Sequence, residues 1–167
     1  MNKLALLAAA VLLGFASTGV AKELLMQNPV PYAANSAIAS KVKNECPLGT
    51  QLAQFVKEFA GSSGYAVQFT DSAPSTAKGY VLKLEITDAM SGGNAFIGHY
   101  KSTTVSGVLY EDGKKKAEVM ARRQSSGGFG AGFKGSCSVL GRTVKAIGMD
   151  LGTWLSNPVD GARLGDL

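Results

Sequence analysis

The sequence predicts an α+β fold, a two-layer sandwich in which two amphipathic helices cover one face of an antiparallel or mixed sheet of about 4–5 strands. Three observations predict it. Apolar residues recur at helical spacing in two segments, 47–60 and 136–155. Between those segments, apolar and polar residues alternate along shorter runs, as they do in half-buried strands. An Asp-Gly pair, which is typical of a hairpin turn, joins the last two runs.

The first 21 residues have the form of a cleavable secretory signal. Lys3 supplies the positive charge, residues 4–15 form an apolar run, and Gly19-Val20-Ala21 offers small residues before a cleavage point. The apolar run is about 12 residues long, which is too short to span a bilayer as a helix. No cysteine lies near the cleavage point, so we expect no lipid attachment there. A periplasmic location is the first expectation and a secreted one the second.

Beyond the signal, the chain divides into three parts. Residues 22–35 are predicted to be an extended N-terminal segment, 36–158 a single α+β domain, and 159–167 a polar tail. Pro29 and Pro31 disfavour helix in the first part, which suits an extended lead-in or an edge strand. The weak alternation over 36–42 predicts a short strand.

The first helix is predicted over 47–60, where Leu48, Leu52 and Val56 lie on one face and Pro47 suits the first turn. Four strands follow, at 65–70, 79–88, 99–110 and 115–124. The second helix is predicted over 136–155. Its glycines, at positions 141, 148 and 152, weaken it intrinsically and let another element approach closely.

Cys46 and Cys137 each precede or open a predicted helix. In an oxidising compartment a single pair of cysteines is expected to form a disulfide. That bond would join the start of the first helix to the start of the second. Two buried free thiols and a redox role are the alternatives, and the latter would favour a Cys-x-x-Cys motif, which the chain lacks.

Recognisable catalytic and cofactor motifs are missing from the sequence. Residues 130–135 match G-x-G-x-x-G, but a dinucleotide site needs a parallel βαβ unit, and here the preceding strand is the second arm of a hairpin. There is no Gly-x-Ser-x-Gly elbow and no HExxH zinc motif. We therefore expect no enzyme activity, no cofactor and no metal.

Charge and glycine content single out one surface. The signal holds one lysine, so 16 basic and 12 acidic side chains remain, and residues 95–167 carry the whole excess. The glycine-rich segment 125–135 and the strand before it are the predicted partner-binding surface. Its candidate residues are Arg122, Arg123, Phe129, Phe133 and Lys134. Arginine pairs with carboxylate or phosphate, and phenylalanine anchors in apolar recesses. The alternatives are a basic strand that blocks aggregation and phenylalanines that pack onto the domain itself.

Segments between Asn94 and Pro158 resemble small exported proteins of Gram-negative bacteria. They include Gly98-His-Tyr-Lys-Ser-Thr-Thr-Val, the Glu-Asp-Gly hairpin, Phe133-Lys-Gly-Ser-Cys-Ser-Val-Leu-Gly-Arg and Asp150-Leu-Gly-Thr-Trp-Leu. The families concerned are uncharacterised periplasmic and lipoprotein families, some similar in layout to the amino-terminal domain of the Tol–Pal propeller protein. The resemblance implies a periplasmic α+β domain without known enzyme activity.

The sequence thus predicts a non-enzymatic periplasmic domain that binds another cell-envelope component. The expected partner is an envelope protein or an anionic envelope component, without nucleic acid and without a transmembrane span. A small-ligand carrier for a lipid or anion, and a secreted enzyme or inhibitor of unfamiliar chemistry, are the alternative functions. The oligomeric state is left open.

Overall fold

A computed structural model describes residues 20–94, 98–125 and 135–167. Its helices are α1 (Ser40–Glu45), α2 (Leu48–Ala60) and α3 (Ser136–Ser156), with a 3-10 turn at Gly61–Ser63. Its strands are β1 (Lys22–Gln27), β2 (Tyr65–Thr70), β3 (Tyr80–Asn94), β4 (Gly98–Glu111), β5 (Lys114–Ser125) and β6 (Ala162–Gly165).

The described strands form one mixed sheet in the order β2-β1-β3-β4-β5-β6. Strands β3, β4 and β5 pair antiparallel, whereas β1 runs parallel to both β2 and β3, and β6 runs parallel to β5. The α+β prediction is confirmed, but the expected count of 4–5 strands was wrong, because six are present. The additional strands come from the two ends of the chain.

The four strands predicted from alternation are all present, and the hairpin between β4 and β5 is confirmed. Asp112 and Gly113 form its turn with positive φ angles of 50° and 78°, the left-handed conformations that this turn type requires. Irregularities in register between Ile86 and Asp88, and between Leu109 and Tyr110, interrupt the pairing. The first of them shifts the alternation of side chains by one residue, so that Ile86 faces the core and Asp88, which pairs with Thr104, faces the opposite side.

Three segments differ from their predicted structure. Residues 22–27 form β1 inside the sheet and not at its edge, because the two prolines follow the strand and leave its amides free to pair. The strand expected over 36–42 is absent: residues 36–39 have no regular structure, and α1 begins at Ser40 and buries Val42. The polar tail contains β6, which pairs with β5 through its backbone.

The core lies between one face of the sheet and helices α2 and α3. Alternate residues of the central strands face it, among them Leu82, Ile86 and Leu109, which are fully buried. Leu52 of α2 and Leu151 of α3 belong to the same apolar cluster. Both predicted helices therefore cover one face, as expected of a two-layer sandwich. The described helices include none long and apolar enough to cross a bilayer.

Helix α3 approaches α2 at two glycines. A Cβ atom placed on Gly148 would lie 2.6 Å from the Cβ of Phe55, and one placed on Gly152 would lie 2.6 Å from the Cβ of Phe59. Carbon atoms without a bond between them do not approach so closely without a shift in the backbone. The expectation that these glycines permit a close approach is confirmed.

The disulfide joins the two helices at their beginnings. Cys46 and Cys137 are bonded, with their Cα atoms 5.1 Å apart and a sequence separation of 91. Cys46 lies just before α2, and Cys137 is the second residue of α3. This agrees with the pairing and the placement that the sequence predicts.

We expect Gly148→Ala and Gly152→Ala each to lower the free energy of unfolding by about 1–3 kcal/mol, because the added methyl group overpacks the helix contact. Urea unfolding measures this change. Gly61→Ala is the matched control, since Gly61 has a helical φ of −57° and no neighbour within 4 Å of an added Cβ. Alanine variants at 148 and 152 as stable as the control would contradict the close helix contact.

Peptide mapping of the protein purified without reducing agent should show Cys46 linked to Cys137. A Cys46→Ala, Cys137→Ala double variant should be less stable, by up to about 4–5 kcal/mol in the chain-entropy description of a long loop. Alkylation of both thiols without prior reduction would contradict the bond.

Candidate functional site

One end of the sheet brings together the predicted partner-binding strand and the start of α3. Strand β3 ends there at Asn94, β4 begins at Gly98, β5 ends at Ser125 and α3 begins at Ser136. Arg122 and Arg123 lie near the end of β5. Phe129, Phe133 and Lys134 lie outside the described residues, so their part in the candidate surface stays a prediction.

Arg123 faces α3 and is engaged within the chain. Its Nε donates to Oδ2 of Asp150 at 2.8 Å, and its Nη2 donates to Oδ1 at 2.7 Å. Asp166 lies 3.5 Å from Nη1. The hydrogen bond and charge of Asp150 raise the pKa of Arg123. The bidentate contact with Asp150 joins β5 to α3, and the contact with Asp166 joins β5 to the C-terminal segment. Arg123 therefore has a structural role whether or not a partner also contacts it.

Arg122 lies on the opposite face of the sheet, as alternation along a strand requires. Its Nη2 donates to the hydroxyl of Tyr100 at 3.2 Å, and that hydroxyl donates to Oε1 of Gln124 at 2.6 Å. Arg122 Nε is buried and has no hydrogen-bond partner. No carboxylate among the described residues forms an ion pair with it. The guanidinium therefore keeps donors that could serve a carboxylate or a phosphate.

Lys101 is the residue at this end that sequence reasoning missed. Its side chain is 3% exposed, and its Nζ donates to Ser91 Oγ at 2.7 Å and to the carbonyl of Gly92 at 3.4 Å. Ser91 Oγ also lies 3.2 Å from Ser136 Oγ, in the first turn of α3. The lysine is thus linked to the N-terminus of a 21-residue helix, where partial positive charge accumulates.

The charge of Lys101 is not compensated by a carboxylate. All 12 Asp and Glu residues of the chain lie in the described ranges, and none of the ion pairs there includes Lys101. An isolated buried ammonium is costly, and buried lysines are normally paired. The neighbouring helix end adds positive charge and no acidic residue lies in its first turn, so this part of the molecule favours an anion.

A sequence feature could have found this site. Residues 89–110 and 119–149 contain no acidic side chain. They supply the strand ends, the connections and the helix start that meet at this end of the sheet. The basic residues in the two stretches are Lys101, Arg122, Arg123, Lys134, Arg142 and Lys145. We call the end of the sheet around Ser91, Lys101, Arg122 and Ser136 the acid-free end, because neither Lys101 nor Arg122 forms an ion pair with a carboxylate of the described residues; Asp150 and Asp166 lie nearby and pair with Arg123.

The other chemistry considered from sequence finds no support in the described part of the chain. Residues 20–94, 98–125 and 135–167 hold no group of three or more His, Cys, Asp or Glu side chains that could bind a metal. Glu111 lies beside the hairpin turn, where it accepts hydrogen bonds from Lys116 and Tyr80, and these bonds lower its pKa. That carboxylate is therefore engaged in surface contacts.

Comparisons with known proteins give the fold. No family model and no curated protein matches the chain. Among solved structures, protein XCC0632 from Xanthomonas campestris, of the family DUF330, is 15% identical with a TM-score of 0.53, over 81% of this chain and 84% of that one. Hypothetical protein CT253 from Chlamydia trachomatis is 12% identical with a TM-score of 0.50, over 81% of this chain and 98% of that one. A minor lipoprotein from Acinetobacter baumannii is 15% identical with a TM-score of 0.46, over 82% of this chain and 94% of that one.

The likenesses to XCC0632 and CT253 agree with the predicted resemblance to uncharacterised Gram-negative families in its coarse form. At such low identity these two establish a shared fold and say nothing about activity. The similarity to the amino-terminal domain of the Tol–Pal propeller protein stays a prediction.

We expect Asp150→Asn to lower the free energy of unfolding by about 1–2 kcal/mol, because it weakens a charge-assisted contact that joins β5 to α3. Arg122→Gln, one residue away from Arg123 but on the other face, is the control and should change stability by less than about 0.5 kcal/mol. Thermal or urea unfolding of both variants measures the difference. If Asp150→Asn is as stable as the control, the assigned role of Arg123 is wrong.

Proposed function

We propose that this chain is a non-enzymatic periplasmic protein that binds an anionic component of the cell envelope through its acid-free end. The observation that carries the proposal is the buried ammonium group of Lys101, which has no carboxylate partner. An anion bound at this end would offset the cost of burying that charge. The secretory signal predicted over residues 1–21 supports the compartment.

The residues at this end suit an anionic group. Lys101 contributes a fixed charge, and the N-terminus of α3 contributes oriented backbone amides, since Gly135 provides no side-chain cap. Arg122 lies on the opposite side of the sheet, and no carboxylate of the described residues forms an ion pair with its guanidinium. Together they present positive charge over both faces of the same strand ends.

The glycine-rich segment adds the predicted contacts that lie outside the described residues. It connects Ser125 to Gly135, both at the acid-free end, and carries Phe129, Phe133 and Lys134. In the proposal, Lys134 extends the positive surface and the two phenylalanines anchor in an apolar recess of the partner.

In-cell photo-crosslinking tests the proposal. A photoreactive residue is placed at 124, 129 or 133, with position 58 on the exposed side of α2 as the control site. We expect the same adduct from the first three positions and none from the control. Mass spectrometry then shows whether the adduct is an acidic envelope protein, a lipid or an anionic saccharide.

An Arg122→Gln, Lys134→Gln double variant should reduce the adduct yield about tenfold, as expected when charge-assisted contacts are lost. Its melting temperature should stay within a few degrees of the unmodified protein. Equal adducts from all sites, or none beside a working positive control, would contradict the proposal. In that case a ligand carrier or an enzyme becomes the better hypothesis.

A further inference from the structure

The sheet face opposite the helices is exposed over its middle. Its residues alternate with the core residues of β3, β4 and β5, and most are exposed or half-buried, whereas Val81 and Ser102 are fully buried. Met120 of β5 is 39% exposed at the middle of this face. The helices lie on the other side of the sheet, and we call this side the open face.

Charges on the open face follow an ordered pattern. Strand pairing defines levels, each a row of residues across β3, β4 and β5 or β6. At the first level Lys83 lies two strands from Glu118, and at the second Glu85 lies three strands from Arg163. The third level has Asp88 on β3 and Arg122 on β5. From the first level to the third, the β3 side therefore carries one positive and then two negative charges. The β5–β6 side carries one negative and then two positive charges.

These opposite charges do not pair within one chain. Neighbouring strands are about 4.8 Å apart, so charges two or three strands away are separated by about 10–14 Å. Among the described residues, Lys83, Glu85 and Arg163 form no ion pair, and Glu118 has only an exposed contact to Lys115 at 2.7 Å. An exposed pair of that kind contributes little stability, so Glu118 is available to another partner.

A trough runs along β4 between the two charged sides. The short side chain of Ser106 lowers the surface there, and Val108 forms part of the floor. A concavity of about 390 Å³ lies on the β5–β6 side, and one of about 180 Å³ lies on the β3 side. Met120 forms part of the wall of the larger one.

We propose that the open face binds a second copy of this chain, related by a two-fold axis parallel to β4. Such an axis places the β3 side of one copy over the β5–β6 side of the other. Lys83 then meets Glu118 of the second copy, and Glu85 meets Arg163, so the first two levels join opposite charges. Two sheets packed face to face lie about 10 Å apart, a distance that these long side chains bridge.

The same argument disfavours other orientations. A two-fold axis perpendicular to the sheets cannot bring two open faces together, and one perpendicular to the strands reverses the order of levels and places Glu85 opposite Glu85, and Arg163 opposite Arg163, of the second copy. The pattern therefore specifies both the partner and its direction, because like charges juxtaposed at an interface are costly. The dimer does not depend on the proposed function.

Sedimentation equilibrium of the mature, disulfide-bonded protein tests the dimer at about 10 μM to 1 mM, the range of a weak association. We expect a dimer that weakens as salt rises. Glu85→Arg and Arg163→Glu should each raise the dissociation constant about tenfold or more, and combining them should restore it to within about threefold. Neither residue belongs to the acid-free end, so envelope binding should be unchanged in both variants.

Glu58→Lys, an exposed charge reversal on α2, is the matched control and should leave the dimer intact. A monomer at every concentration overturns the inference. A dimer whose dissociation constant is unchanged by the single charge reversals also overturns it. So does a dissociation constant that the double reversal does not restore, because in both cases the charges of the open face do not form the interface.

Discussion

The contact between α2 and α3 is the constraint on which the rest of the structure depends. Gly148 and Gly152 allow α3 to lie directly against Phe55 and Phe59, and the Cys46–Cys137 bond joins the two helices at their beginnings. Helices held so closely must cover the same face of the sheet. Their buried side chains and those of the central strands then form one core, whose fully buried members include Leu52, Leu82 and Leu151.

Placing both helices on one face has two consequences. The opposite face is left to half-exposed and charged side chains, which makes it available for association. The disulfide also fixes the start of α3 beside the ends of β3 and β4, where Ser136 meets Ser91 and, through it, Lys101. The positive helix end and a buried ammonium are thereby brought together, and among the described residues no carboxylate forms an ion pair with that ammonium. The proposed anion binding follows from this arrangement.

Much of the fold could be predicted from local patterns, and the predictions that were wrong have physical causes. Alternation over 65–70 and helical spacing over 47–60 gave the correct elements, because local burial is enough to specify them. The parallel strands β1 and β6 depend on pairing with distant segments, which a short polar tail such as 162–165 does not reveal. The separate faces of Arg122 and Arg123 could be predicted from strand geometry. The bond from Arg123 to Asp150 and the burial of Lys101 could not, since both arise from tertiary packing.

The central claim is that the acid-free end carries uncompensated positive charge that binds an anion. Amide nuclear magnetic resonance of the mature protein, titrated with inorganic phosphate against chloride at matched ionic strength, tests it most directly. The account predicts saturable shifts confined to Ser91, Lys101, Arg122 and Ser136, with α2 unaffected. Shifts spread over all surface lysines, or rising linearly without saturation, would show screening alone and would contradict the account.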